Sequence, residues 1–449
     1  MEYLEHEKEE EDQPVSPTGQ YFNSSVLQVS IMSILESDIP IDDSPTLSLL
    51  KDVFLPINPR FSSLMVEDKN GVKHWKRVEV KLEDHVNVPI FPDGLSPESY
   101  DDYFDDCLTK IAMKEFPQSR PLWEIHIIKY PTSNAAGTVV FKLHHALGDG
   151  FSLMGALLSC LQRADNPNLP ITFPSFKVSS NLDSGRSIIR AVPRALSAAF
   201  NTVSDFGWGL LKSTAVEDDR TPIRSGDPGV EFRPMSIATI SFSLDNIQKI
   251  KAKLGVVCSN IATLSSFSYN KRCPHWNNLL GTRLYMQSMN HASRNANSTA
   301  LVLLNTRVIS GYKSLKEMTA SDSSSQWGNQ FAFLHVTLPE LVDAKFTSPL
   351  DFVAKAQQTI QRKRNSLAVH LTGRLLETLR KYRGPEVTAR YIHGTLKNSS
   401  MTISNMIGPM EQVALANHPC RGMYFMTLGS PEESAYHILD YPSISQELQ

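Results

Sequence analysis

Cysteine is scarce. Five lie among 449 residues, at Cys107, Cys160, Cys258, Cys273 and Cys420. The number is odd, no two are spaced Cys-x-x-Cys, and no histidine cluster accompanies them. A disulfide framework and a structural zinc site are excluded on that pattern, and a reducing compartment fits it. Positive charge is not in excess either: 44 Lys+Arg against 47 Asp+Glu leave a net charge of −3, so nothing draws the chain to nucleic acid. Long apolar runs are missing as well. The best stretch, between Arg194 and Lys212, is interrupted by Asn201 and Asp205, too polar for the roughly 20 apolar residues of a membrane span. The first twelve residues end in Lys8-Glu9-Glu10-Glu11-Asp12, which cannot be a secretory apolar core; residues 1–15 read as a solvated acidic leader.

What is present is an ordinary globular mixture long enough for two lobes. Strand and helix patterns alternate over residues 16–170. Val26–Leu35, Val78–Leu82, Trp123–Ile128 and Val139–Leu143 read as strands, and Tyr100–Met113 as a helix. Residues 171–235 change texture, with Pro170, Pro174, Pro193, Pro222, Pro228 and Pro234 in and around them. They read as a crossover linker carrying an amphipathic helix over Arg186–Lys212, kinked at Pro193. Its apolar residues include Leu196, Phe200, Val203, Leu210 and Leu211, while Arg186, Arg190 and Arg194 repeat at i, i+4. Such a helix packs on its own protein or lies in a membrane surface. A second lobe follows over 236–449. There Ser236–Leu244, Ala300–Thr306 and Phe331–Leu338 read as strands and Asp245–Leu254 as a helix. Ser348-Pro349 opens another helix, which ends in Arg362-Lys363-Arg364, a cluster suited to offset a helix C-terminus or to meet CoA phosphates.

Chemistry concentrates in one loop. The run Thr138-Val139-Val140-Phe141-Lys142-Leu143 leads into His144-His145-Ala146-Leu147-Gly148-Asp149-Gly150, and an apolar helix begins at Phe151. If the strand continues through His145, period-two alternation sets His145 on the face of Val139, Phe141 and Leu143, with His144 turned the other way. Neutral imidazole suits removal of a hydroxyl proton as an alcohol attacks a thioester. Asp149 is placed to cap the helix or to pair with an arginine.

His144-His145-Ala146-Leu147-Gly148-Asp149-Gly150 resembles the HHxxxDG signature of the plant wax ester synthase/diacylglycerol acyltransferase family. Pro121-Leu122-Trp123 resembles its PLW motif. Asn305-Thr306-Arg307, Trp327-Gly328-Asn329 and Ser404-Asn405-Met406-Ile407-Gly408-Pro409 resemble later blocks in the same order. The resemblance implies an α/β fold of two lobes like chloramphenicol acetyltransferase, with the site where the lobes meet and a tunnel reaching the second histidine. It implies His145 as general base, His144 as its supporting neighbour, and Asp149 and Gly150 holding the loop. Arg307, or else Arg120, would pair with Asp149, and Asn405 would donate a hydrogen bond near the oxyanion. Trp123, Leu122 and Phe151 are the candidates for tunnel walls.

The implied reaction moves a long acyl chain from acyl-CoA, a co-substrate, to a fatty alcohol or to diacylglycerol. It needs no metal or prosthetic group. The implied location is a membrane surface, the cytosolic face of the endoplasmic reticulum, with the plasma membrane as a second site. Asp205-Phe206-Gly207-Trp208-Gly209 spells the DFGWG motif of BAHD acyltransferases, but it follows Asp149 by only 56 residues, inside the linker helix. A BAHD-type soluble enzyme is therefore the alternative, and an inactive lipid-binding paralogue the other. Two stretches depart from the family pattern: Ser259-Asn260 through Asn277, and the end after Gly429, where a strand and closing helix are expected to be lost.

Overall fold

The computed structural model describes residues 13–69, 73–171, 188–230, 296–306, 327–340, 349–364, 366–409, 411–431 and 435–440, with residues 233, 237, 279, 282–286 and 288. The readings on 236–244, 245–254 and 259–277 lie outside the described residues, apart from residue 237.

A seven-stranded sheet forms the first lobe, in the order β5 (Val86–Asn87), β6 (Trp123–Ile128), β7 (Gly137–His144), β2 (Ser30–Ser37), β13 (His418–Leu428), β12 (Val413–Leu415), β8 (Leu161–Arg163). Alternation along its central strands divides its two faces. Ile31, Leu35, Val139, Phe141 and Leu143 pack with Leu153 and Leu157 of helix α3 (Gly150–Ser159). Met32, Ile34 and Val140 pack with Phe104 and Leu108 of α2 (Pro97–Met113). Burying apolar side chains on both faces makes the sheet a rigid platform for whatever its strand ends carry.

Two of its strands come from near the C-terminus, so this lobe is not drawn from residues 16–170 alone. β13 pairs antiparallel with β2 over almost its full length and closes an edge that would otherwise stay unpaired. The strand read at Val78–Leu82 is also displaced. A small sheet has the order β1 (Gln13–Pro14), β4 (Lys73–Arg77), β3 (Ser63–Glu67), and Leu82–Asp84 is a short 3-10 turn.

The second lobe holds a four-stranded sheet in the order β10 (Phe331–Thr337), β9 (Thr299–Asn305), β11 (Met401–Ile407), β14 (Ala435–Asp440). β14 runs parallel to β11, Thr402 opposite Ala435 through Ile407 opposite Asp440. The end of the chain thus supplies a sheet strand where the sequence reading expected one to be lost.

Helices that accompany this sheet include α4 (Ile188–Thr214), α5 (Pro349–Arg364), α6 (Ala368–Arg383) and α7 (Pro385–Lys397). α4 runs through Pro193 and is seated by polar contacts. Asp205 takes hydrogen bonds from Arg362 Nη2 at 2.9 Å and Lys363 Nζ at 2.8 Å. The cluster forms the last turn of α5, as its sequence suggested, and two of its three cations also hold Asp205. Asp205 of the DFGWG string is a packing residue that ties α4 to α5. No described helix is long and apolar enough to cross a membrane.

Candidate active site at the lobe junction

β7 ends at His144, not at His145. The chain then turns, so the alternation argument fails for the second histidine and is replaced by a loop. Two backbone bonds fix that loop to the first lobe: His144 N–H donates to Leu122 O at 2.9 Å, and His145 N–H to Val29 O at 2.8 Å.

His144 continues the face of Val140 and Lys142, edge-on to Phe116 at 5.9 Å between ring centres. Its Nδ1 accepts from Ala146 N–H at 3.0 Å. Neutral imidazole then carries its proton on Nε2, which is buried and has no partner among the described residues. Burial, reinforced by the neighbouring His145 ring and the positive charges of Lys142 and Lys73, pushes this imidazole down to about 3. It stays neutral through physiological pH.

His145 faces the other lobe. Its ring lies 4.7 Å from Phe22, the last residue of the short helix α1 (Pro17–Phe22), and 5.5 Å from Phe331 at the start of β10. Its Nδ1 is 2.6 Å from Asn329 Oδ1, and Asn329 Nδ2 donates to His145 O at 2.8 Å. The second bond settles the orientation of the amide. Nδ2 is committed to a carbonyl, so Oδ1 faces Nδ1, and a carbonyl oxygen only accepts. Nδ1 therefore carries the proton and the Nε2 lone pair is left for chemistry, with no hydrogen bond to a described residue. Burial lowers the pKa of His145, against the opposing pull of the Asp149 charge, so the ring is a neutral base near pH 7.

Asp149 caps α3. Its Oδ1 accepts from Ser152 N–H at 3.0 Å and its Oδ2 from Gln330 N–H at 2.9 Å. Two lobes are thus joined through one carboxylate. The segment Trp327–Gln330 holds the loop at further points. Trp327 Nε1 donates to Leu147 O at 2.8 Å, a carbonyl that Arg60 Nη1 also reaches at 3.1 Å. Gly328 has φ +121°, a left-handed conformation costly for any side chain, and its carbonyl accepts from Ser152 Oγ at 3.2 Å. A Cβ on Gly148 would lie 3.0 Å from Ser152 Cβ, so this glycine lets the loop pack closely on the start of α3.

The other site candidates fall as follows. Gly150 is the first residue of α3. Arg307 lies outside the described residues. Arg120 does not pair with Asp149; it clasps Glu124, four residues on. Asn405 lies on β11 opposite Ile438, and its side chain is outside the described set. Trp123 and Leu122 are core residues, not walls of an open channel. Trp123 packs on Phe54 and His85 and donates from Nε1 to Phe61 O at 2.8 Å. Phe151 is half-buried at the start of α3. A cavity of about 20 Å³ lies between α3 and the sheet, lined by Ile31, Phe141, Leu143, Leu153 and Phe425 among others. It has room for about one water, and none of His145, Trp123, Leu122 and Phe151 lines it. His145 itself is 7% exposed. Asn329 was missed as a functional residue, although its Trp-Gly-Asn block stands out in the sequence; the signal was a glycine beside a side chain able both to donate and to accept.

Two α/β lobes meeting at a neutral imidazole, with an HHxxxDG loop gripped from across the junction, define a two-lobed fold of the chloramphenicol acetyltransferase-like class. Comparison with known proteins narrows the class. The wax ester synthase/diacylglycerol acyltransferase catalytic domain matches residues 46–261, and the C-terminal domain of the same family matches residues 327–443. The chain belongs to this family. It is 28% identical over 458 residues to wax ester synthase/diacylglycerol acyltransferase 4 of Arabidopsis thaliana, covering 98% of this chain and 85% of that protein. It is 29% identical over 455 residues to number 8 of the same plant, covering 97% and 90%. Among solved structures, the wax ester synthase/diacylglycerol acyltransferase from Marinobacter aquaeolei VT8 shares the fold, with a TM-score of 0.53 at 14% identity over 96% of this chain and 91% of that one.

Proposed function

We propose that this enzyme joins a long acyl chain from acyl-CoA to a fatty alcohol, giving a wax ester, and also acylates diacylglycerol, giving triacylglycerol. His145 is the base. The alcohol oxygen attacks the thioester carbonyl carbon while its proton passes to His145 Nε2. The tetrahedral adduct then collapses, the C–S bond breaks, and the same proton passes to the departing CoA sulfur. Atoms and charge balance with no metal or redox partner. Asn405 is the candidate donor to the oxyanion.

The observation that carries this reading is the paired bond between Asn329 and His145, which leaves the Nε2 lone pair without a hydrogen bond among the described residues. The membrane at which these substrates dissolve, on the cytosolic face of the endoplasmic reticulum, is the proposed location. Purified protein with palmitoyl-CoA and hexadecanol, dipalmitoylglycerol or shikimate tests the reading. Ester from the first two acceptors supports it. Ester from shikimate alone would replace it with a BAHD-type activity, and acyl-CoA binding without any ester would leave a lipid-binding paralogue.

A further inference from the structure

α4 is built inside out. One stripe of polar side chains points into the protein: Thr202 accepts from Leu367 N–H at 3.2 Å, Asp205 takes Arg362 and Lys363, Lys212 lies 2.5 Å from Asp218, and Ser213 pairs with Thr395 at 2.6 Å. Gly209 sits on the same stripe against His335. The spacing 202, 205, 209, 212 is one helical face. The opposite stripe is open and largely apolar, broken by Ser204 and Thr214. Phe200 is 74% exposed, Val203 71% and Leu211 48%, and a Cβ on Gly207 would touch nothing. No acid lies on it, because Asp205 is the one acidic residue of the helix and it is turned inward. A helix that spends its hydrogen bonds on its own protein and offers its apolar face outward has the reverse of the usual amphipathic arrangement.

The neighbouring helix supplies charge. α6 packs against α4 and exposes Leu371, Arg374, Thr378 and Tyr382 on one face, with Lys381 beside them. Tyr382 is 73% exposed, and the Lys381 ammonium lies 5.6 Å from its ring centre. Glu377 is also exposed, at the rim, four residues before Lys381 and so within reach of it. Over its length α6 carries Arg374, Arg380, Lys381 and Arg383 against that single acid.

From this juxtaposition we infer that the open face of α4, flanked by the cationic face of α6, is a docking surface for an anionic phospholipid bilayer. α4 lies along the membrane plane, with Phe200, Val203 and Leu211 immersed in the acyl boundary and Arg374 and Lys381 among the headgroup phosphates. At 27 residues the helix is about 40 Å long, enough for several apolar side chains to immerse together. The inference rests on the proposed lipid substrates only for its purpose. The binding itself is separable from catalysis.

Sedimentation of the full-length protein with phosphatidylcholine vesicles, with and without phosphatidylserine, tests it. Wild type is expected to sediment with both and more strongly with phosphatidylserine. The double variant Phe200→Glu/Val203→Glu should lose at least about tenfold in partitioning. Arg374→Glu/Lys381→Glu should lose the phosphatidylserine preference, about fivefold per cation. Ile90→Glu, at an exposed apolar position of the first lobe, is the control and should bind as wild type. These sites are open to solvent, so unchanged melting temperatures are expected and separate surface effects from unfolding. Wild-type partitioning by Phe200→Glu/Val203→Glu would overturn the inference. So would a concentration-dependent dimer, without vesicles, that this variant makes monomeric, since a second copy would then cover the face. Ester synthesis from detergent-dispersed substrates, assayed in parallel, reports on the proposed reaction alone: vesicle binding without any product would sink that reading and leave the surface standing.

Discussion

His144 and His145 share a peptide bond but sit in two different solvents. His144 closes a β-strand, so its ring direction is dictated by the pleat, and it goes into the first lobe beside Phe116 and Lys142. His145 has left the strand and is aimed by a side chain 184 residues away. In the first case the ring accepts at Nδ1 from the next turn and carries its proton on a buried Nε2. In the second the proton sits on Nδ1 and the Nε2 lone pair remains. Two identical imidazoles thus hold opposite tautomers, and the tautomer decides which one can take a proton. Burial alone does not make a base; it keeps both rings neutral, and the hydrogen bond at Nδ1 sorts them.

Removing the second ring breaks the comparison most severely. His145→Ala is expected to lower ester synthesis by about 10²–10⁴-fold, the usual contribution of a positioned general base, with the melting temperature little changed. Near-wild-type turnover in a folded protein would reject the assignment. Next comes the partner that aims the ring. Asn329→Ala should leave palmitoyl-CoA binding intact and lower kcat by about 10²-fold, because a misplaced reactive group costs about that much. A fall in KM-controlled steps with kcat unchanged would show that Asn329 only packs.

The sequence disclosed the loop but not the grip upon it. The two histidines, the aspartate three residues before the serine it caps, and the apolar helix behind them are local features, and local features survive in a one-dimensional reading. The strands β6 and β9 were legible for the same reason, since their patterns are unbroken runs. Asn329 was not, because its bond joins segments whose separation in sequence says nothing of their proximity. The partner of Arg362 and Lys363 was hidden for the same cause. A cationic helix end is a local motif and is found where expected, whereas its distant partner Asp205 is not a local feature. The return of β13 to the first sheet was hidden too, as strand order is a global property that the pattern of one strand does not encode. The inverted α4 shows the limit most directly: its periodicity announced an amphipathic helix, but which stripe faces inward depends on where acids and bases from other elements wait.

His144 sharpens the comparison through stability instead of rate. Its folded-state value of about 3 lies below the ordinary histidine value, so the unfolded chain binds a proton that the folded one refuses. Stability from this group is therefore full above about pH 6.5 and is lost as pH falls toward 3. Between pH 7 and 5 the loss is about 2 kcal/mol. His144→Gln never charges. Its stability, followed by urea unfolding, should decline less over that interval than that of the wild type. Equal declines would mean that His144 charges without penalty.

The smallest expected effect lies in the pH dependence of His145 itself. Burial lowers its pKa, and the Asp149 carboxylate works against that shift by favouring the imidazolium. The acid limb of kcat/KM, which reports the free enzyme, should therefore fall below the ordinary histidine range. Neutralising Asp149 removes the opposing charge, so Asp149→Asn should carry the limb to still lower pH. The amide keeps an oxygen for the Ser152 N–H and gives up the bond from Gln330 N–H, which loosens the loop and lowers the plateau as well. Plateau and limb are separate readouts. A lower plateau with an unmoved limb would make Asp149 a cap and nothing more, whereas a displaced limb shows that its charge is felt at the base. Under the same assay His144→Gln should leave the limb almost in place, because the ring it replaces is neutral throughout the accessible range.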